Sequence, residues 1–365
     1  MAVRYRHHGI CLVRSTTDPG DLDLPRDLDL SDPEAVEAEG RAWLAKTWAR
    51  GDVREAVAVS SPDLAARVAQ LLARPEQAST RDLRRAVVSL ASYLLRWQRR
   101  VTPFGLFAGV LPAGTGPASA LLGSGYRAVA RPAPEWISGL AAVLERDPAL
   151  RDQLTATANA LSAVRDGRLV LARREPPAAR TAGPEREASV RWTRPVQAAM
   201  QLAAAPVPLG VLADALTARF HSAPPEAIRE LLDGLASEGF LSTSLQPPMT
   251  AENPLEFLRD ALREAGAAQV PGTAALLQEL EEISGLVAAH NACPRPTDAA
   301  AIRSAVSARM AALASCAGSP LEMDVRLDGK ITLPAAVLDE AAAAAGVLLR
   351  LTTRPFGAKI GRAHV

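Results

Sequence analysis

SLASYLLRWQRRVTPFGLFAGV, residues 89–110, is the stretch from which the rest of this chain is read. With the residues just before it, Leu83, Val87, Leu90, Leu94 and Trp97 recur at steps of four and three, the apolar stripe of an α-helix. Ser79 is placed to cap that helix, and Asp82 three residues on makes a variant of the capping box. Thr102-Pro103 stops it, because the residue before a proline is pushed out of the α region. Phe104-Gly105 then turns the chain into LFAGVL, an apolar run that reads as a strand. A helix over about 80–100 delivered directly into a strand points to a mixed α and β fold.

The same helix carries a second, polar stripe. Ser89, Tyr93, Arg96 and Arg100 follow at steps of four, three and four. Two guanidinium groups one turn apart converge on a small volume, and the Thr102 hydroxyl sits just past the helix end. Such forks hold phosphate or carboxylate bidentately. Arg81, Arg84, Arg85, Arg96, Arg99 and Arg100 face only Asp82, so the helix is strongly basic and suits a nucleic-acid backbone. On spacing alone, a solvated basic face explains the pattern as well.

Working outward, GICLVRST within residues 5–16 reads as a strand with Arg14 near its end, and 33–50 and 61–74 read as helices. Beyond the central segment, 113–134 reads as loop, 135–146 and 148–159 as helices, and 161–173 as a hairpin. Residues 175–188, EPPAARTAGPEREA, read as a surface loop or linker. Strand ASVRW, helices near 194–204, 208–219 and 224–237, and strand GFLSTSL give a winged-helix outline over 188–245. Its second and third helices carry Arg219 and Arg229 against Asp214, Glu226, Glu230 and Asp233, a balance that argues against DNA. Helices near 254–266, 272–290 and 298–316 follow, the first opened by Asn253-Pro254. A strand pair, LEMDVRL and KITLP, and a helix at 335–345 complete the reading. The expected fold is α+β and multi-lobed, with mixed sheets, many helices and an embedded winged-helix-like unit.

Composition narrows the function classes. Hydrophobic residues make up 48% of the 365 and charged ones 22%, enough to build packed cores, and the net charge of +1 gives no global attraction to nucleic acid. Only Lys46, Lys330 and Lys359 are lysines among 41 basic residues. A GC-rich genome and a need for anion-binding forks both produce that bias. Cys11, Cys293 and Cys316 make no disulfide framework and no CxxC pair, and His290 with Cys293 forms a lone HxxC without a second half. His7-His8 reads as an exposed pair. No GxxxxGK loop, signal peptide or membrane-length apolar run is present, so no metal or cofactor is expected and a cytoplasmic location follows by default.

YLLRWQRRVTPFGLFAGV, from Tyr93, resembles the signature YxxRxxxRxTPFGxFA of the lantibiotic dehydratase N-terminal family. EAVAVSSPDL at 55–64, GFLSTSLQPPMTAENPLEFL at 239–258 and LEMDVRLDGKITLPAAVLDEAAAAAGVLLRL at 321–351 resemble further blocks of that family, in its order. The resemblance implies transfer of glutamate from glutamyl-tRNA, the co-substrate, onto Ser or Thr side chains of a ribosomally made precursor peptide. A separate activity would then eliminate the glutamate to leave a dehydroamino acid. It implies Arg96, Arg100 and Thr102 as catalytic residues, with Arg14 and Asp324; the basic stripe of the helix adds Arg84, Arg85 and Arg99 as expected tRNA contacts. A strand-surface carboxylate serves equally as a reading of Asp324.

The implied division is a glutamylation lobe over 1–175, a leader-peptide-binding unit over 188–245 that takes the leader by strand addition, and a continuation of the glutamylation region over 246–358. A separate elimination protein or cyclase is an implied partner, and a homodimer is allowed. Other readings stay open: a peptide–aminoacyl-tRNA ligase adding another amino acid, or a non-catalytic leader-binding partner. The chain departs from the family at Arg131-Pro132-Ala133-Pro134-Glu135-Trp136, where many members read RPDxxW: the acid is missing, and Glu135 is the nearest substitute. The final KIGRAHV, 359–365, equals the in-frame translation of a common sequencing-adapter run, so the tail is expected to be foreign and the enzyme cut short.

Overall fold

The computed structural model describes residues 9–173, 186–248 and 250–351. His7-His8, most of the 175–188 linker reading and the 359–365 tail lie outside the described residues.

In chain order, strand β1 (Cys11–Thr16) leads to helix α1 (Pro33–Ala35), which widens into a π-helical turn at Val36–Gly40 and runs on as α2 (Arg41–Trp48). Helices α3 (Gly51–Ser60), α4 (Pro62–Ala73) and α5 (Thr80–Arg99) follow, then strands β2 (Ala108–Thr115) and β3 (Ser119–Pro132). Next come α6 (Pro134–Leu144), α7 (Pro148–Arg151), β4 (Thr155–Ala158), β5 (Ala163–Arg165), β6 (Arg168–Arg173) and β7 (Arg186–Arg191). Helix α8 (Arg194–Leu202), β8 (Val207–Pro208), α9 (Leu209–Arg219), α10 (Pro225–Ser237) and β9 (Leu241–Thr243) form the next stretch. The chain then runs through α11 (Pro254–Glu264), α12 (Pro271–Ala292), α13 (Ala300–Leu313), β10 (Leu321–Leu333) and α14 (Ala335–Leu351). The fold is α+β with mixed sheets, as the sequence implied.

Three readings are corrected. Residues 113–134, read as loop, hold the fourteen-residue strand β3. Its Gly123 and Gly125 look like turn residues, but a Cβ at Gly123 would collide with Asp328, so glycine there serves close approach to β10. Residues 148–159 are helical only at α7; Thr155–Ala158 instead pair with β8 and β9. LEMDVRL and KITLP form one strand rather than a pair. The register against β2 shifts between Arg326↔Val110 and Ile331↔Ala113, a bulge around Asp328-Gly329 rather than a hairpin.

The described chain forms two compact units, one of residues up to Val129 with Cys293–Ala300 and Met323 onward, the other of Ala130–Ala292 and Ala301–Glu322. In the first, the sheet order is β1-β2-β10-β3, with β1 antiparallel and β10 parallel to β2. Every residue of the expected stripe, Leu83, Val87, Leu90, Leu94 and Trp97, is buried, in one core with Trp43, Leu44, Val53, Val57, Phe107 and Val325. Burying each such side chain is worth about 1.5–3 kcal/mol.

The second unit holds two antiparallel three-stranded sheets, β8-β4-β9 and β5-β6-β7. Helices α8, α9 and α10 follow β7, giving the winged-helix-like arrangement. Their apolar faces bury Val196, Leu212, Leu216, Ile228 and Leu232. Strand β7 pairs with β6 along its whole length, and its other edge has no strand beside it among the described residues.

Candidate functional site

Helix α5 starts where its cap was expected. The Ser79 hydroxyl accepts from the Asp82 backbone N–H at 3.1 Å, and the Asp82 carboxylate accepts from that hydroxyl at 2.7 Å. This hydrogen bond and Arg67 beside it hold the Asp82 carboxyl below the usual carboxylate range. At the other end Arg99 is the last helical residue. Arg100 is already extended, at φ −124° and ψ 126°, although its N–H still reaches the Arg96 carbonyl. The polar stripe therefore does not continue along the helix face to Arg100; the chain has left the helix, four residues after Arg96.

The arginines nonetheless share one surface. Ser92, Tyr93, Leu95, Arg96, Arg99, Arg100 and Phe104 line an open cleft of about 600 Å³. Three guanidinium groups and no carboxylate are among its lining residues. The Arg96 guanidinium lies 4.2 Å above the centre of the Phe104 ring. Phe104 is in turn one of a set of rings with Tyr93 and Phe107, at centroid distances of 6.2 and 6.0 Å. The stack holds a long, rotamer-rich arginine in one orientation without neutralising it. No ion pair engages Arg96, Arg99 or Arg100 among the described residues.

The turn behind the cleft depends on Gly105. Its φ of +54° is left-handed, and a Cβ there would run into the Ser60 hydroxyl and the Val59 side chain. Thr102 lies exposed in this turn and does not line the cleft. Two threonines at the end of the first strand anchor the other side. Thr16 donates its hydroxyl to the Trp97 carbonyl at 2.5 Å, while Thr17 accepts from the Trp97 indole N–H at 2.8 Å and donates to the Leu106 carbonyl at 2.5 Å. The last turn of α5 is thus tied to β1 and to the start of β2.

Arg14 lies on β1 two residues before Thr16, so both belong to the same strand face, about 7 Å apart along the chain. Asp324 is exposed on β10, next to Val325, which points into the core. Neither lines the cleft. On α5, Arg85 lies on the same side of the helix as Arg96 and Arg99, while Arg84 is about a third of a turn away. The cleft-lining residues that sequence reading passed over are Ser92, Leu95 and Phe104. Phe104 could have been found as the aromatic one short turn beyond an arginine-ended helix.

A larger hollow of about 720 Å³ lies in the second unit, between α6, α10 and the strand β9. Its charged groups are mutually engaged. Arg151 pairs with Asp233 at 3.1 Å, and Glu145 accepts from Thr243 and Gln246 at 2.6 and 3.0 Å. Burial pushes the Asp233 carboxyl up although Arg151 opposes it. The smaller cleft is the better anion site, because its positive charge is unbalanced. At the departure noted above, Ala133 is buried at the N-cap of α6 with no side-chain cap, and Arg131 pairs with Glu322 at 2.7 Å.

Among the described residues, no helix is long and apolar enough to cross a membrane. The family model described as "Lantibiotic dehydratase, N terminus" matches residues 49–363. The subtilin biosynthesis protein SpaB of Bacillus subtilis is 26% identical over 243 residues, 65% of this chain and 22% of that protein. The crystal structure of the tRNA-dependent lantibiotic dehydratase MibB from Microbispora sp. 107891 aligns with a TM-score of 0.69 and 28% identity, over 99% of this chain and 32% of its own. The glutamylation domain TbtB from thiomuracin biosynthesis shares the fold, with a TM-score of 0.52 and 20% identity over 87% of this chain and 38% of its own. The chain therefore spans 22% of the length of SpaB and 32% of that of MibB.

Proposed function

The chain belongs to the lantibiotic dehydratase N-terminal family, and from that premise we propose that it transfers glutamate from glutamyl-tRNA to Ser or Thr side chains of a precursor peptide. The observation that carries this reading is the cleft of Arg96, Arg99, Arg100 and Phe104, cationic and without an acid. A tRNA acceptor end is polyanionic and carries an unpaired base, and guanidinium groups beside an aromatic ring suit both.

In this reading the peptide hydroxyl oxygen bonds to the ester carbonyl carbon and the bond from that carbon to the ribose oxygen breaks. The hydroxyl proton ends on the ribose oxygen. The ester is already activated, so no protein nucleophile is needed: the work is holding two substrates together and stabilising the oxygen that gains charge. Arg96 and Arg100 are assigned to that charge, with Thr102, Arg14 and Asp324 as further catalytic groups. Arg84, Arg85 and Arg99 are assigned to tRNA phosphates, and the edge of β7 that no described strand covers to the leader.

Incubating the protein with glutamyl-tRNA and candidate peptide should give a glutamate-sized mass gain on the peptide. Arg96→Ala and Arg100→Ala should each abolish the gain while leaving peptide binding unchanged. Undiminished transfer by either variant defeats the site assignment. A gain of another amino acid's mass selects the ligase reading. The non-catalytic leader-binding reading is favoured by Ala133, an apolar buried residue where many family members carry an acid. Leader binding with no mass gain under any charging condition selects it.

A further inference from the structure

Strand register brings a residue not yet assigned alongside Arg14. Arg14 is opposite Val110 on β2, and Val110 is opposite Arg326 on β10. Register-matched residues project to one face of a sheet, so Arg14 and Arg326 flank Val110 at about 10 Å, two strand spacings. Asp324, two residues before Arg326, shares that face by alternation. The opposite face is settled by the core: Val325 is buried, and a Cβ at Gly109 would collide with it. Arg326 is exposed, and no hydrogen bond or ion pair among the described residues engages its guanidinium or that of Arg14. The face thus carries two guanidinium groups against the one carboxylate of Asp324, an excess of positive charge that an anionic ligand would offset.

We propose that Arg326 is a binding residue for an anionic group of the charged-tRNA co-substrate, acting from the same sheet face as Arg14; this rests on the function proposed above. The anion is either a backbone phosphate or the glutamyl side-chain carboxylate, both of which suit a guanidinium fork.

Arg326→Gln, on an exposed strand face, should leave the thermal midpoint unchanged. Binding to the whole chain is then measured with uncharged glutamate tRNA over a salt series, and with stable glutamyl- and glutaminyl-adenosine amides. A phosphate contact predicts about tenfold weaker tRNA binding and a salt slope reduced by about 1. A carboxylate contact predicts about tenfold weaker glutamyl-amide binding with the glutaminyl amide unaffected. Unchanged binding of all three probes, when Arg99→Gln in parallel weakens tRNA binding, overturns the inference and leaves the proposed function standing. If Arg99→Gln also binds tRNA as the parent does, the functional reading itself fails.

Discussion

The stack of Arg96 on Phe104 shows how one residue's role depends on its neighbour. Pinned over a ring, the guanidinium keeps its charge and loses much of its conformational freedom, so less entropy is lost when an anion binds. Phe104→Leu keeps the bulk but removes the π face; tRNA affinity should fall several-fold with the melting temperature little changed, as read by anisotropy and thermal unfolding. Gly105 makes a purely structural prediction. Alanine there meets a left-handed backbone, worth about 1–2 kcal/mol, and a collision with Ser60 besides. Gly105→Ala should lower stability by about 2 kcal/mol or more in urea unfolding. The arginines and Thr102 were legible as residue types at fixed spacing. That Arg100 leaves the helix before it reaches the cleft was not, because a periodicity carries no information on where its last turn frays.

Helix α5 was legible as an element because local signals agree: a capping serine, an apolar stripe and a proline stop. Ser79→Ala should cost about 1 kcal/mol of stability, since the Asp82 N–H loses its acceptor. A loss below a few tenths in denaturant titration would show that the helix end is held from elsewhere. Strand β3 was illegible for the opposite reason. Its Gly123 satisfies the close approach of β10, about two hundred residues away in sequence, and in isolation it looks like part of a turn. The register shift of β10 is likewise set by pairing with β2 and mimics a hairpin in one dimension. Strand β7 offers an element-scale test of leader binding. Added leader peptide should slow amide exchange within 186–191 and leave 89–102 unchanged; protection confined to other segments would remove β7 as the docking edge.

For the whole molecule, buried ionisable groups set the pH range of stability. Burial, with the Asp52 charge adding to it, pushes the Tyr126 phenol up from 10 to about 12. Its contribution is therefore complete below pH 10 and is lost as pH rises through about 12. At the other end, the Arg50 hydrogen bond holds the Asp52 carboxyl below its ordinary 3.8 against the effect of burial. That contribution is present above 3.8 and is lost as pH falls through the lower folded value. Stability should thus be flat at neutral pH and drop at both extremes. In an ultraviolet phenolate titration one of the three tyrosines should ionise late, and Tyr126→Phe should remove that late phase. The sequence alone determined most of the helices and the arginine-rich segment, because caps, stripes and motifs act over a few residues. Only the tertiary structure decided that β10 returns to pair beside β2, that Arg14, Asp324 and Arg326 share a sheet face, and that three arginines line a cleft without an acid. Those facts depend on pairing between residues far apart in the chain, which the hydropathy of either partner does not encode.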